Sequence, residues 1–412
     1  MTIWNDATFT KNLAHANWMS NVAVLGHLNE RATGDPVREW LGSWARRWFA
    51  GDNLRVLVLG CGEGWLERGI AAWPFVAHID AVDFAADAVA RAKEIASEQG
   101  ITKIAYDVVD LNRAELAKDA YDVIVAHAVI HHVENLEHAF AQLRNALRPN
   151  GTLIVNEYVG PKRFQFGDDV LRIINDLLAC LPARLRRGAI ETSVYEKRER
   201  PTVEQMIAND PTEAVRSDEL LTFIERELNV VDRKNIGGTI LQHLLYDISH
   251  NFRFDVPRER ALVEMLCTIE AALVDAKRIP CDFVLLAARK ERGGAVRKDL
   301  TPRPELSIDA DPLGDVARKQ VVRAARAKSR WLTRPMLRAL RIALLATREQ
   351  RANLFEENPR AALREQMRFV LSRERPFTWI ISRWAKNADL RNEDDRAMLM
   401  LLETFDSVVG CR

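Results

Sequence analysis

Three imidazoles stand close together in the stretch Tyr121–His132, YDVIVAHAVIHH: His127, His131 and His132. Imidazole titrates near neutral pH, so a histidine placed beside an alcohol can take its proton as the oxygen becomes a nucleophile. Glu157 and Tyr158 close a later apolar stretch and supply a carboxylate and a phenol. A second chemistry-bearing stretch is Gly60-Cys61-Gly62-Glu63-Gly64. Glycines at this spacing let a backbone turn tightly and approach a ligand with no Cβ in the way. Asp83 follows about twenty residues later, where an acid can accept hydrogen bonds from two ribose hydroxyls. By themselves the glycines fit a dinucleotide, a nucleoside or no ligand at all.

The elements that must carry these residues are legible. Val56–Leu59 is an apolar run too short for a helix and bounded by glycine, hence a strand, and a helix pattern follows the glycines. Further strands are expected at His78–Asp83, Ile104–Val109, Tyr121–His127 and Thr152–Tyr158. Helix patterns alternate with them, one carrying Leu136, Phe140, Leu143 and Leu147 on a single face. Alternation of this kind predicts an α/β fold with a parallel sheet, whose ligands bind beyond the carboxyl ends of the strands. A sixth strand is expected from Val230 to Ile240, interrupted by Gly237-Gly238, and a seventh at Asp282–Ala288.

The series VLGCGEG, AVDF, VVDLN, YDVIVAHAVIHHVENL and LRPNGTLIVNEY resembles the ordered motifs of class I S-adenosylmethionine (SAM) dependent methyltransferases. The segments LGHLNERATGDPVREWL, NEYVGPKRFQF and PTVEQMIANDPTEAVRSDELL are similar to a bacterial group of such enzymes linked to polysaccharide or glycolipid gene clusters. The resemblance covers about residues 20–290. It implies a Rossmann-like, mostly parallel seven-stranded sheet whose last strand inserts antiparallel beside the sixth, with SAM as cofactor. Leu59, Gly60, Cys61, Gly62 and Gly64 would meet the methionine and ribose parts, Asp83 the ribose hydroxyls, and Phe84 the adenine ring. Asp110 would accept from the adenine amino group, Leu111 would offer a backbone N–H, and the carbonyl of His127 would help hold the methionine end. Val58 departs from the family, many members of which carry an acid there. Cys61 reads as a small packing residue rather than a nucleophile.

On the acceptor side, His131 is the first choice of base, with His132 beside it and Glu157 assisting; the alternative is a structural cap. Tyr158, Arg163 and Gln165 would bind the acceptor, Arg163 by pairing with a phosphate or carboxylate. His243, Tyr246 and His250 read as packing or lid residues. AHAVIHH in place of Asn/Asp-Pro-Pro-aromatic argues against amino-methylation of a nucleobase. The expected reaction is O-methylation of a sugar hydroxyl in a glycan or glycolipid, the sugar resting on the resemblance alone. A small-molecule O-, N- or C-methyltransferase, a SAM-fold scaffold without turnover and a dehydrogenase are the rivals.

The chain has 412 residues and a formal net charge of +1, which gives no polyanion signature and argues against nucleic acid as a partner. Five scattered cysteines form no C-x-x-C pair or ligand cluster, so no metal site and a reduced, cytoplasmic setting are expected. No signal peptide or membrane-spanning run is visible, and nothing specifies an oligomer. The expected organisation is a helical preface at 1–50, the methyltransferase domain at 51–290 with a lid insertion at about 159–216, a linker at 291–314 and a helical C-terminal region at 315–412. In the preface, Asp35 is placed to cap a helix starting at Pro36. Ser217 is expected to cap a helix running to Leu228. From Val316 to Arg348 there are about ten Lys/Arg and no acid, either a solvated helix face or a contact for an anionic membrane surface. A truncation near Gly293 is expected to leave a folded, SAM-binding protein.

Overall fold

The computed structural model describes residues 17–190, 192–290 and 391–410. The linker and the basic run at 316–348 lie outside the described residues. Two helices, α1 (Val22–Thr33) and α2 (Trp40–Trp48), precede the sheet. Then come β1 (Leu54–Leu59), α3 (Trp65–Ala71), β2 (Val76–Asp83), α4 (Ala86–Glu98), β3 (Ile104–Val108), β4 (Tyr121–His127), α5 (Leu136–Ala146) and β5 (Leu147–Tyr158). An insertion carries α6 (Asp168–Cys180) and α7 (Val203–Asn209). It is followed by α8 (Leu220–Glu227), β6 (Asn229–Gly237), α9 (Leu241–Leu245), α10 (Pro257–Asp275), β7 (Phe283–Arg289) and, far along the chain, α11 (Glu393–Gly410).

The strands form one seven-stranded sheet in the order β3-β2-β1-β4-β5-β7-β6. All neighbours are parallel except β7, which runs antiparallel to both β5 and β6. Both faces are covered, which is why the central strands read as unbroken apolar runs. Val56, Val58, Val123 and Val125 face one core with the N-terminal helices, α6 and α10. Leu57, Leu59, Ile124 and Ala126 face the other, with α5 and α8. The strand order reverses between β1 and β4, so their carboxyl ends, Leu59 and His127, flank the crevice where such sheets take ligands.

Local expectations fail where tertiary partners replace local ones. Glu39, not Asp35, caps α2, accepting from Leu41 and Gly42 N–H, while Asp35 closes a turn onto Val37. Ser217 Oγ donates to the Gly160 carbonyl, and α8 starts only at Leu220. Strand β6 stops at Gly237 because Gly237 and Gly238 take φ of 113° and 94° and the buried Glu270 carboxylate collects the N–H groups of Gly238, Ile240 and Leu241.

Helix α11 belongs to the sheet domain, and the expected boundary near residue 290 does not separate it. Its Ala397, Met398, Leu401 and Leu402 are buried in the core that includes α6 and α10. Arg184 ties Glu259 of α10 to Glu393 and Asp394, and Arg258 pairs with Asp395. A Leu or Met side chain removed from such a core loses roughly 2 kcal/mol. A chain ending at residue 290 is therefore expected to unfold at markedly lower urea concentration than the full chain, or to aggregate. A midpoint equal to that of the full chain would show that the helix adds nothing. No helix among the described residues is long and apolar enough to cross a membrane.

Candidate active site

The glycine loop leaves β1 in left-handed backbone: φ is 65° at Gly60, 51° at Gly62 and 84° at Gly64. A Cβ on Gly60 would lie 2.5 Å from Cβ of Val129, so this glycine lets the loop after β4 close on the loop after β1. A Cβ on Gly62 would meet nothing within 4 Å. The backbone is bare there and faces open space, as a nucleoside-binding loop requires. Asp83 ends β2 and is locked to this loop: Oδ2 accepts from Gly62 N–H and Oδ1 from Ala85 N–H, each at 2.8 Å. Beside it Phe84 is 57% exposed, unusual for a phenyl ring and suited to cover an adenine.

Cys61 is buried, and burial, with Glu67 and Asp83 nearby, pushes its thiol well above the ordinary range, in keeping with a packing role. Asp110 turns toward its own chain. It accepts from Asn112 N–H and Nδ2 and pairs with Arg113, which together outweigh burial and lower its carboxyl. Asn112, missed in the sequence, accepts from Glu134 and Asn135 N–H and so ties the β3 loop to the start of α5. Leu111 is half-buried beside it. His127 Nδ1 is buried and has no hydrogen-bond partner among the described residues.

Next to the glycine loop, Glu67 is fully buried, and burial pushes its carboxyl up to about 7. An acid whose folded pKa is raised binds its proton more tightly when folded. The contribution of this group to stability is then greatest below about pH 4.5 and is lost as the pH rises to about 7. Glu67→Gln is expected to leave urea stability at pH 4.5 nearly unchanged and to raise it at pH 8 by about 3 kcal/mol. Equal effects at both pH values would refute the buried-carboxyl account.

Glu157, at the end of β5, is 1% exposed. Its Oε1 accepts from Val129 and Ile130 N–H and its Oε2 stands 2.6 Å from His131 Nδ1. Burial opposes the charge on both partners, yet each outweighs it through the other. Glu157 titrates below its ordinary value, and His131 rises to about 9. His132 is pushed down to about 3 by burial and by the charge of His131, and stays neutral. Its Nδ1 is 3.0 Å from Thr212 Oγ1.

The expected acceptor-binding set is used elsewhere. Tyr158 is buried, and its hydroxyl donates to the Pro161 carbonyl. Arg163 donates to the carbonyls of Asp210, Pro211 and Glu213, so it builds a loop instead of meeting a phosphate. Gln165 donates to the Arg163 and Pro201 carbonyls. His243 packs between Phe164 and Phe166, as expected of a packing residue. The loop that Arg163 holds delivers Glu213, which sequence reading did not single out, to the two histidines. The donor atoms of His131, His132 and Glu213 lie within 4.8 Å of one another. Cysteine spacing cannot reveal such a cluster, whose members meet from residues about eighty apart in the chain.

A cavity of about 170 Å³ adjoins His127. Trp18, Trp40, Trp65 and Phe283 line it, with His127 and Asn156 among its polar edges. The helical preface thus covers the carboxyl end of the sheet, and Trp40 lies 5.5 Å from His127 between ring centres.

This glycine loop, acid-tipped second strand and seven-stranded sheet define a nucleoside-binding transferase fold. Residues 50–210 match the family model described as "Methyltransferase domain". The chain is 31% identical to a malonyl-[acyl-carrier protein] O-methyltransferase of Halalkalibacterium halodurans, over 45% of this chain and 67% of that protein. It is 30% identical to a protein of the same description from Bacillus anthracis, over 30% of this chain and 45% of the relative, less than half of that relative's length. A solved SAM-dependent methyltransferase from Mesorhizobium loti aligns with 61% of this chain and 97% of its own, at 18% identity and a TM-score of 0.37. The chain belongs to the class I SAM-dependent methyltransferases. The residues present fit that cofactor: the open face at Gly62, the carboxylate of Asp83 and the exposed ring of Phe84 form a continuous cradle at the switch point of the sheet.

Proposed function

We propose that this methyltransferase transfers the methyl group to an oxygen of a sugar unit in a glycan or glycolipid. The observation that carries the reading is the cavity beside His127, whose tryptophan walls suit the C–H face of a sugar ring and whose His127 and Asn156 edges suit its hydroxyls. SAM, when bound, supplies a methyl group already activated on a sulfonium. The chain's own work is then to hold donor and acceptor in line and exclude water, and orientation supplies much of the rate. Gly60, Gly62, Gly64 and Asp83 would fix the donor, Trp40 and Trp65 the acceptor ring, and the His127 and Asn156 edges its hydroxyls, with His131, His132 and Glu213 on the loops that follow. A second reading, an acyl or other small-molecule acceptor, is favoured by the largely apolar lining and by the relatives' malonyl-[acyl-carrier protein] description. Methyl transfer from labelled SAM, screened against sugar nucleotides, glycolipids and acyl-carrier thioesters, separates the two. Labelled thioester with unlabelled sugars would overturn the first.

A further inference from the structure

We infer that His131, His132 and Glu213 form a binding site for one divalent transition-metal ion of the zinc type, placed to hold the acceptor oxygen. The ion's catalytic role rests on the reading above; its binding does not. His131 Nε2 stands 3.5 Å from Glu213 Oε1, and His132 Nε2 stands 3.9 Å from Glu213 Oε2. Ligand atoms on a tetrahedral zinc, with bonds of about 2.1 Å, are separated by roughly 3.4 Å. The three groups need only small side-chain movements to close on an ion, which would displace the Nε2 proton of His131 as it binds. Two imidazoles and a carboxylate make a donor set that zinc accepts, and three protein ligands leave a position open.

The surroundings have the form of a metal site's outer shell. Metal-bound histidines commonly donate their other ring N–H to a carboxylate or another acceptor, which fixes the tautomer. His131 meets the Glu157 carboxylate through Nδ1, and Glu157 is itself pinned by Val129 and Ile130 N–H. His132 meets Thr212 Oγ1 through Nδ1, and that hydroxyl donates to Asp210 Oδ1. Both Nε2 atoms are thereby directed at Glu213. The third ligand is held too: Arg163 collects the carbonyls around it, and Val215 N–H donates to the His131 carbonyl. Glu157 and Glu213 bring two carboxylates to the histidine pair, and a cation there offsets both.

The side chains of His132 and Glu213 are 21% and 20% exposed, which gives an ion and an acceptor a way in. An acceptor hydroxyl in the open position would lose its proton to solvent more readily. Its oxygen then forms a bond to the methyl carbon while the carbon–sulfur bond breaks and sulfur keeps the electron pair. The products are the methyl ether and S-adenosylhomocysteine.

The test uses the untagged full chain stripped with EDTA, then titrated with ZnCl₂ by calorimetry and with CoCl₂ by visible absorption. One Zn²⁺ per chain is expected, with the intense visible bands of four-coordinate cobalt. His132→Ala and Glu213→Gln are each expected to weaken uptake at least a hundredfold, with circular dichroism reporting the fold; a variant that fails to fold leaves the other to decide. No stoichiometric uptake, or uptake unchanged in folded variants, would overturn the site. SAM titrated into the stripped wild type reads the methyltransferase assignment separately: SAM binding in a protein that takes up no zinc fells only the metal proposal, and zinc uptake without SAM binding fells only the methyltransferase reading.

Discussion

Asp83→Ala is expected to weaken SAM binding by about a hundredfold, the equivalent of about 3 kcal/mol. Two losses combine. The carboxylate that would receive the ribose hydroxyls disappears, and charged hydrogen bonds of this kind contribute roughly 1.5–3 kcal/mol each. The same carboxylate also holds the glycine loop, through Gly62 N–H, and the start of α4, through Ala85 N–H. Asp83→Asn keeps one acceptor and one shape, and should fall between the variant and the wild type. Calorimetric titration with SAM and S-adenosylhomocysteine measures all three. Unchanged affinity in Asp83→Ala would remove the cradle assigned above.

Glu157→Ala should be the most damaging single change to stability. It leaves the Val129 and Ile130 N–H groups without their buried acceptor and His131 without its counter-charge. Breaking one side of a buried, hydrogen-bonded charge pair typically costs about 3–5 kcal/mol. Because Val129 also lies against Gly60, the loss should spread to the cofactor loop. Urea unfolding of Glu157→Ala beside Glu157→Gln gives the measurement, with glutamine expected to recover part of the loss. Near-equal stability of alanine and wild type would mean that the loop after β4 is held by packing alone.

The sheet is written plainly in the chain. A parallel strand buried on both faces must be apolar throughout, so Val56–Leu59 and Tyr121–His127 announce themselves, and Gly60, Gly62 and Asp83 mark the crevice by residue type and spacing. The cluster of His131, His132 and Glu213 is another matter. Arg163 is charged and follows a strand end, features shared by a ligand-binding arginine and by one that ties down carbonyls; only the folded position of residues 210–213 decides. Glu213 gives no local signal, since its partners lie some eighty residues earlier in the chain. His131 looks like a base because its ordinary pKa suits that work, and the shift its surroundings impose comes from Glu157, a residue on a different strand. For α11 a helix was expected within residues 315–412, but the surface it covers was not legible, because α6 and α10 precede it by more than a hundred residues.

Synthesis on the ribosome gives that last separation a temporal meaning. The sheet is complete once β7 has emerged, yet α6 and α10 wait for α11 while the next hundred residues are made. Over that interval the faces that will hold Met398, Leu401 and Leu402 lack those side chains. Arg184 likewise waits for Glu393 and Asp394 with only Glu259 beside it. The order of translation thus makes α11 a late-arriving latch, and the yield of soluble protein should be sensitive to how fast residues 291–404 are delivered.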